Sequence, residues 1–584
     1  MIADPSLDTK SLRSRHPDPP RSGPKNKAWQ LRLPYLILFA LIILLVVVPM
    51  AVLFVASFTD SPPRPGDPIG NFTLANYAAI FSERGLTAAL NSFIIGIGAG
   101  ALAMVLGTAM AWLAARSDVP GRGIVQIAGI VPLFISAFVG AMAWSLIASP
   151  KSGYINLLFE SLGWDFTLNV YSIPGIIFVQ ALYYSPYAFV FVYGALRLMN
   201  PEMEEAALIH GAKQFQVVRI ITLPLIRPAL LAAGVLTFGL ILEDFPIPTI
   251  LGAGGGIETL PTYVYSLMTV APAKMNEASA VGMTLLVIVV AVIMFQRFLG
   301  RNRSYTTVSG KGFKPSTVKL GRWRWPAFAF VALYLITAVI LPILALAKAA
   351  FSGALYLKTF ADIFDPASFS VRSFFETIGS RGFLDALRNS FTAGIAAALI
   401  GVVLYVALAY FVQRTGLRGR RVLDQLAMAP IAIPALVMGL AFFWTWSVIP
   451  LPIYGTLAIL VLAYIMRLIP QGYGGIAGSM QQIDPDLEAA AKVSGAGNLR
   501  ALTYVTLPLL RTSIISAGLM VLILSIRELS SSIFLFTSKT RVLSVLVFGQ
   551  WENGQWDKVA AMSLAYSAIL LVITIIGSRW LRPA

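Results

Sequence analysis

The chain has 584 residues, 57% hydrophobic and only 12% charged, with a mean hydropathy of +0.77, whereas soluble proteins carry about a quarter charged residues; lipid is therefore the solvent for most of it. The net charge of +17 does not signal nucleic acid, because the 44 Lys and Arg punctuate apolar runs instead of gathering in a polar domain. Cysteine is absent and the only histidines are His16 and His210, which removes disulfide frameworks and thiolate metal sites and leaves almost no scope for a histidine-based active site.

Residues 1–33 hold seven Lys/Arg against three Asp, are rich in Pro and Ser, and have no cleavable signal pattern, which predicts a basic, disordered cytoplasmic tail. A crossing of the bilayer takes about 20 predominantly apolar residues. Such runs occur at 34–59, 91–115, 123–150, 166–196 and 278–296, then at 325–347, 389–413 and 559–578, and the run 425–466 is long enough for two helices with a turn near Pro450 to Pro452. Two further runs, beginning at Pro228 and Thr512, meet Glu243-Asp244 and Arg527-Glu528 before they have crossed, and they complete twelve spans. Basic residues favour the cytoplasmic ends of spans, which places both termini in the cytoplasm. The stretch 296–325 has eight basic residues and no acid, as expected of a cytoplasmic linker beside anionic lipid.

The chain repeats itself. Asn91-Ser92-Phe93 returns as Asn389-Ser390-Phe391, and at the same offset Arg116 meets Arg414, Gly121-Arg122 meets Gly419-Arg420 and Pro132 meets Pro430. Further on, Pro186 meets Pro470, Glu204 meets Glu488, Gly211-Ala212 meets Gly495-Ala496, and Thr222-Leu223-Pro224 meets Thr506-Leu507-Pro508. The expected architecture is an all-α polytopic membrane protein of about 12 transmembrane helices. Two tandem six-helix units, 34–299 and 326–584, flank the linker 300–325; an even span number per unit relates them by a pseudo-two-fold axis along the membrane normal, with the pathway between them.

Between the fourth and fifth spans of each unit lie 200–228 and 484–512. Each opens on a helix-start signal, Asn200-Pro201 or Asp484-Pro485 followed by acids. Each helix stops at Gly211 or Gly495, since glycine takes the positive φ of a helix end readily, and a second short segment runs to Leu-Pro, where the next span is expected to begin. Two such elbows on the inner face predict docking of two copies of a cytoplasmic partner.

Glu204-Glu205-Ala206-Ala207, Gly211 and Leu223-Pro224 resemble the EAA loop of binding-protein-dependent ABC importer permeases, and Glu488, Ala490, Gly495, Leu507 and Pro508 repeat it. The second copy departs from the pattern at Ala489, which stands where the first has Glu205. The resemblance covers both six-helix permease units. It implies that each loop is a coupling helix seated in a groove of a cytoplasmic ABC ATPase dimer, where its acid can pair with a basic residue. It also implies a periplasmic substrate-binding protein that delivers cargo, and a bacterial inner-membrane location. No GxxxxGK[ST] string occurs, so this subunit is not expected to be an enzyme or to carry a cofactor, and ATP-Mg belongs on the partner.

Carboxylates inside a membrane usually mark a substrate or ion path. Asp244 and Glu528 are repeat equivalents, Glu243 adds a third acid, and Arg527 is a candidate partner for one of them; together they are the candidate translocation-path residues, against the alternative of a structural ion pair. The run Glu243-Asp244-Phe245-Pro246, the segment Arg527-Glu528-Leu529 and the linker motif Ser309-Gly310-Lys311-Gly312-Phe313 look like the ferric-iron uptake branch of the family, whose cargo suits hard oxygen donors. Fused permeases for thiamine, polyamines or aminoethylphosphonate are similar as well. A secondary transporter with two six-helix halves is the competing class; such a carrier has no physical reason to keep paired EAA-type loops.

Overall fold

The computed structural model describes residues 28–62, 70–200, 202–300, 317–352, 359–366 and 369–580. Nearly all of the N-terminal tail and the linker motif at 309–313 lie outside them. Among the described residues ten helices are long and apolar enough to cross a membrane, and two bent pairs bring the number to twelve if each is one span: α1 (Arg32–Ser57), α2 (Glu83–Arg116), α3 (Arg122–Phe134 with Ala137–Ala148), α4 (Ile173–Leu198), α5 (Gln214–Leu242), α6 (Met275–Gln296), then α7 (Gly321–Ala350), α8 (Arg381–Arg414), α9 (Arg420–Ala432 with Ala435–Val448), α10 (Leu457–Gln481), α11 (Asn498–Arg527) and α12 (Trp556–Gly577). Among the described residues there is no strand, only isolated bridges.

Two of the segments are not the straight crossings expected of 123–150 and of the first part of 425–466. The two arms of α3 meet at 97° and those of α9 at 112°. Pro132 and Pro430 sit in a 3-10 turn at the end of each first arm, and the chain turns extended at Ile135 and Ile433 before the second arm starts. Proline withdraws one N–H and blocks the helix before it, so the break falls at equivalent places in both halves.

A second proline signature recurs four times. Residues Ile43–Val47, Val218–Thr222, Ile336–Ile340 and Leu502–Thr506 form π-turns, and each is followed by one residue and then a proline: Pro49, Pro224, Pro342 and Pro508. In each the residue before proline donates to the carbonyl five residues back, as Leu223 does to Val218. The wider turn lets the helix pass the pyrrolidine ring without ending. In consequence α5 and α11 do not begin at Leu223-Pro224 and Leu507-Pro508, as the sequence predicts, but at Gln214 and Asn498, and the second segment of each elbow is the first turn of a span.

The Asn-Ser-Phe repeat has a structural cause. Ser92 and Ser390 each accept a hydrogen bond from a backbone N–H, of Leu260 and Leu543, at 2.7 Å. Asn91 donates to Glu258 O and Asn389 to Lys539 O and Arg541 O. Both motifs thus fasten the loop between the fifth and sixth spans to the second.

The halves interlock. α1 and α6 lie against the second arm of α9, while α7 and α12 lie against the second arm of α3. Hydrogen bonds cross the seam from Tyr35 Oη to Arg418 O (3.0 Å), from Trp444 Nε1 to Ser279 Oγ (3.1 Å) and between the Ser185 and Tyr334 hydroxyls (2.8 Å). Within the first half α2 and α4 approach so closely at Gly107 that a Cβ there would strike Ser185 O. The equivalent position in the second half is Tyr405, whose ring fills the space above Gly472. The same gap is closed by moving bulk from one helix to the other, as dense helix packing in lipid requires.

Candidate functional site

The elbows are built as their capping signals predict. Asn200 Oδ1 accepts from Glu202 N and Asp484 Oδ1 from Asp486 N, each at 3.0 Å. The short helices Glu202–Ile209 and Pro485–Val493 follow. Gly211 and Gly495 then adopt φ of 84° and 91°. Around each glycine the chain makes the paired Schellman bonds, Ala212 N to Ala207 O with Gly211 N to Leu208 O, and Ala496 N to Ala491 O with Gly495 N to Lys492 O. Among the described residues a Cβ on either glycine would meet nothing within 4 Å, so backbone conformation alone demands glycine there.

The two elbows present equivalent apolar side chains outward. Ile209 and Val493 are 85% and 89% exposed, Phe215 and Leu499 74% and 73%, and Ile220 and Tyr504 lie beside them, also exposed. Glu205, Ala206, Ala489 and Ala490 are exposed, and so are Leu223, Pro224 and Pro508, while Ala207 and Leu507 are half-buried. Glu204 and Glu488 point the other way, although the resemblance leads one to expect the loop's acid to meet the ATPase. Both are buried, because each sits under the π-turn of the following span: Thr222 Oγ1 donates to Glu204 Oε1 at 2.5 Å and Thr506 Oγ1 to Glu488 Oε1 at 2.6 Å. The exposed acid of the first elbow's EAA run is Glu205.

The membrane acids lie at the far ends of α5 and α11, and line one cavity of about 390 Å3 between the halves together with Arg467 and Arg527. Three carboxylates therefore face two guanidiniums. Glu243 Oε1 accepts from Arg467 Nη2 at 2.6 Å, and Arg467 Nη1 donates to Ile433 O at 3.0 Å. Asp244 accepts from Gln180 Nε2 and Tyr184 Oη, both at 2.9 Å, and Glu528 Oε1 from Ser531 N at 3.0 Å. Among the described residues Arg527 makes no ion pair with an acid, contrary to the expectation from sequence; it donates to the carbonyls of Leu133 and Ile135 across the pseudo-axis. The reason is the break in α3: extended residues leave backbone oxygens without helical donors inside a membrane protein, where an unmet carbonyl is costly. Arg467 serves the equivalent break in α9.

Arg467 is the residue the sequence reading missed, since the apolar run was ended one residue before it. An arginine in the middle of the helix Leu457–Gln481 is the signal that marks it. The three acids also do not converge as a cation cage: among the described residues no three His, Cys, Asp or Glu side chains are placed to hold a metal ion.

A smaller cavity of about 280 Å3 shares Glu243, Phe191, Leu236, Leu240 and Ile431 with the first and reaches Gln296, at the end of α6 on the elbow side. On the opposite side the halves are closed by aromatic rings. Phe548 stands 6.0 Å from Phe138, 5.9 Å from Phe245 and 5.8 Å from Tyr265 between ring centroids, and Tyr265 Oη donates to Glu552 Oε1 at 2.7 Å. The arrangement is a polar chamber between two pseudo-symmetric halves, continued toward the elbows and stoppered away from them.

The family profile described as binding-protein-dependent transport system inner membrane component matches twice, at residues 103–304 and 406–582. The ferric transport system permease protein FbpB of Actinobacillus pleuropneumoniae is 25% identical over 534 residues, covering 91% of this chain and 75% of that protein. The putative ferric transport system permease protein FbpB 1 of Haemophilus influenzae is 27% identical over 527 residues, covering 87% and 78%. A putative 2-aminoethylphosphonate transport system permease protein of Salmonella typhimurium is 28% identical over 208 residues, 36% of this chain and 78% of that protein.

Proposed function

We propose, since this chain belongs to the family of binding-protein-dependent transport system inner membrane components, that it forms the translocation path of an ATP-driven importer and carries ferric iron. It is a fused two-unit permease, with each family match falling in one half. In this reading a periplasmic binding protein hands the cargo to the stoppered side. A cytoplasmic ABC ATPase dimer grips the two elbows. The units divide at 34–299 and 326–584, with the basic tail and linker and both termini in the cytoplasm, on the side of the elbows.

The observation that carries the coupling role is the twofold repetition of a capped helix, a positive-φ glycine and an exposed apolar row. Exposed Ile209, Phe215 and Ile220 and their counterparts Val493, Leu499 and Tyr504 form two matched surfaces that a symmetric dimer can cover. Closing that dimer draws the elbows together and rocks the halves, so the aromatic stopper parts and the chamber opens outward; hydrolysis reverses the motion. The chain itself performs no ATP chemistry in this account.

Support for iron comes from two permeases of ferric transport systems that align along most of the chain, and from the excess of carboxylates in the chamber. Hard oxygen donors suit that ion, and weak, distributed ligation lets a cargo pass. Asp244→Asn combined with Glu528→Gln is expected to lower iron uptake at least about tenfold without changing insertion. The test is uptake of radiolabelled iron into vesicles holding the complete transporter and ATP, with thiamine, polyamine and aminoethylphosphonate as parallel cargoes. Iron uptake at the unmodified rate in the double variant removes the acids from the path. Uptake that ignores ATP, from a chain that retains no ATPase, assigns the protein to the secondary transporters.

A further inference from the structure

Arg116 and Arg414 end the second span of each half, and nothing in the coupling role proposed above uses them. Arg116 is 1% exposed, a burial that a guanidinium tolerates only when its charge and its donors are met. Its Nη2 donates to Leu196 O at 3.0 Å and to Met199 O at 3.2 Å, in the last turn of α4 and at its C-cap, where carbonyls outnumber helical N–H donors. Its Nη1 stands 3.5 Å from Glu204 Oε2 of the elbow, and Glu204 also holds Thr222 at the end of the π-turn in α5. The second half repeats every contact. Arg414 Nη2 donates to Met480 O (3.0 Å) and Ile483 O (2.7 Å), its Nε lies 3.4 Å from Glu488 Oε1, and Glu488 holds Thr506.

We infer that Arg116 and Arg414 are positioning residues that clamp each elbow to the second, fourth and fifth spans, so that a push on the elbow moves those three helices as one body. The inference rests on the elbows being the coupling elements. It departs from the expected pairing of the loop's acid with the ATPase: Glu204 and Glu488 are the inner anchors of the elbow, and contact with the partner falls to the exposed apolar row.

Two features make the clamp more than a packing detail. First, it joins four elements through one guanidinium and one carboxylate, with the hydroxyl seated on the only irregular turn in the helix that follows the elbow. A π-turn is the compliant point of that helix. Fastening it to the elbow keeps displacement from being absorbed there before it reaches Glu243 and Arg527 at the far ends of α5 and α11. Second, the ion pair is not yet a hydrogen bond in either half, since among the described residues Arg116 Nε and Nη1 and Arg414 Nε have no acceptor. A shift of Glu204 or Glu488 toward its arginine by less than about 1 Å brings Arg116 Nη1 and Arg414 Nε to charge-assisted distance, so a load that moves the elbow that way tightens the clamp.

The test uses the full chain with its ATPase subunits in proteoliposomes, read as cargo imported per ATP hydrolysed, a ratio that loss of folded protein does not change. Arg116→Met with Arg414→Met is expected to lower the ratio about tenfold while the ATPase stays bound and active; Arg116→Lys with Arg414→Lys recovers part of it, since an ammonium meets the carboxylate but not two carbonyls as well. Should the arginine variants fail to assemble, Thr222→Val with Thr506→Val decides. These isosteric changes are expected to lower the ratio several-fold, and Thr222→Ser with Thr506→Ser to restore it. An unmodified ratio in the Thr→Val pair overturns the clamp. Failure of the coupling reading itself is separately visible, as an unmodified chain that binds no ATPase.

Discussion

Replacing Gly211 or Gly495 with Val is expected to leave the chain in the membrane at normal abundance and to cut cargo uptake at least about tenfold while ATP turnover continues. The two glycines sit at φ 84° and 91°, where a β-branched residue is strained by about 1–3 kcal/mol. The strain can be relieved only by unwinding the Schellman turn, which would re-aim Ile209 and Phe215, or Val493 and Leu499. Among the described residues nothing beyond the glycine and its chain neighbours lies within 4 Å of the added Cβ, so the core is untouched and the added bulk falls on the surface proposed to meet the ATPase. Transport and ATPase rates measured on the same vesicles check this. Uptake at the unmodified rate in both variants removes the elbows from the coupling path.

The second large effect is expected at the chamber. Glu243→Leu or Arg467→Met alone should destabilise the protein by about 3–5 kcal/mol, because each leaves the other charge buried without its ion-pair partner. Arg467→Met also strips Ile433 O of its donor at the bend of α9. The double variant Glu243→Leu with Arg467→Met is expected to regain much of that loss, since the desolvation cost of both charges disappears together. The measurement is the temperature at which each purified variant leaves the monodisperse peak on size-exclusion chromatography. Single variants as stable as the unmodified chain would mean that water reaches this pair freely.

Span count, repeat and elbow design were legible in the sequence for one reason: each rests on a local rule. Apolar length fixes a crossing, an Asx residue with proline fixes a helix start, and a glycine after the last helical turn fixes its stop. Spacing alone aligned Arg116 with Arg414, Glu204 with Glu488 and Thr222 with Thr506. What spacing does not give is which side chains meet across helices. The same three residues therefore appeared as unrelated matches, and Glu204 was expected to face a partner although the fold turns it inward. From sequence Arg527 is a candidate partner for one of the acids, whereas the carbonyls beside the bend at Ile135 take its donors.

The irregular helices follow the same logic. Pro132 and Pro430 were visible, but an apolar run containing proline reads as a kinked crossing as easily as a chain turned through 97° or 112°. The four π-turns had a signature, one residue then proline inside an apolar run, at Val48-Pro49, Leu223-Pro224, Leu341-Pro342 and Leu507-Pro508. Its recurrence in both halves argues that the compliance is part of the unit that was duplicated. The chamber shows the opposite trend: Glu243 in one half corresponds to Arg527 in the other, so its walls have diverged while the elbows have kept their form.

The account stands on two elbows reached from one side of the membrane by one ATPase dimer, and the absence of native cysteine makes this directly measurable. Ile209→Cys and Val493→Cys, each the only thiol in its chain, are labelled with a membrane-impermeant maleimide in right-side-out and inside-out vesicles, with and without the ATPase subunits. Both positions are expected to be labelled only in inside-out vesicles, and both to be protected when the ATPase is bound. Labelling of either from the outer side, or protection of one position with the other left fully reactive, would contradict it.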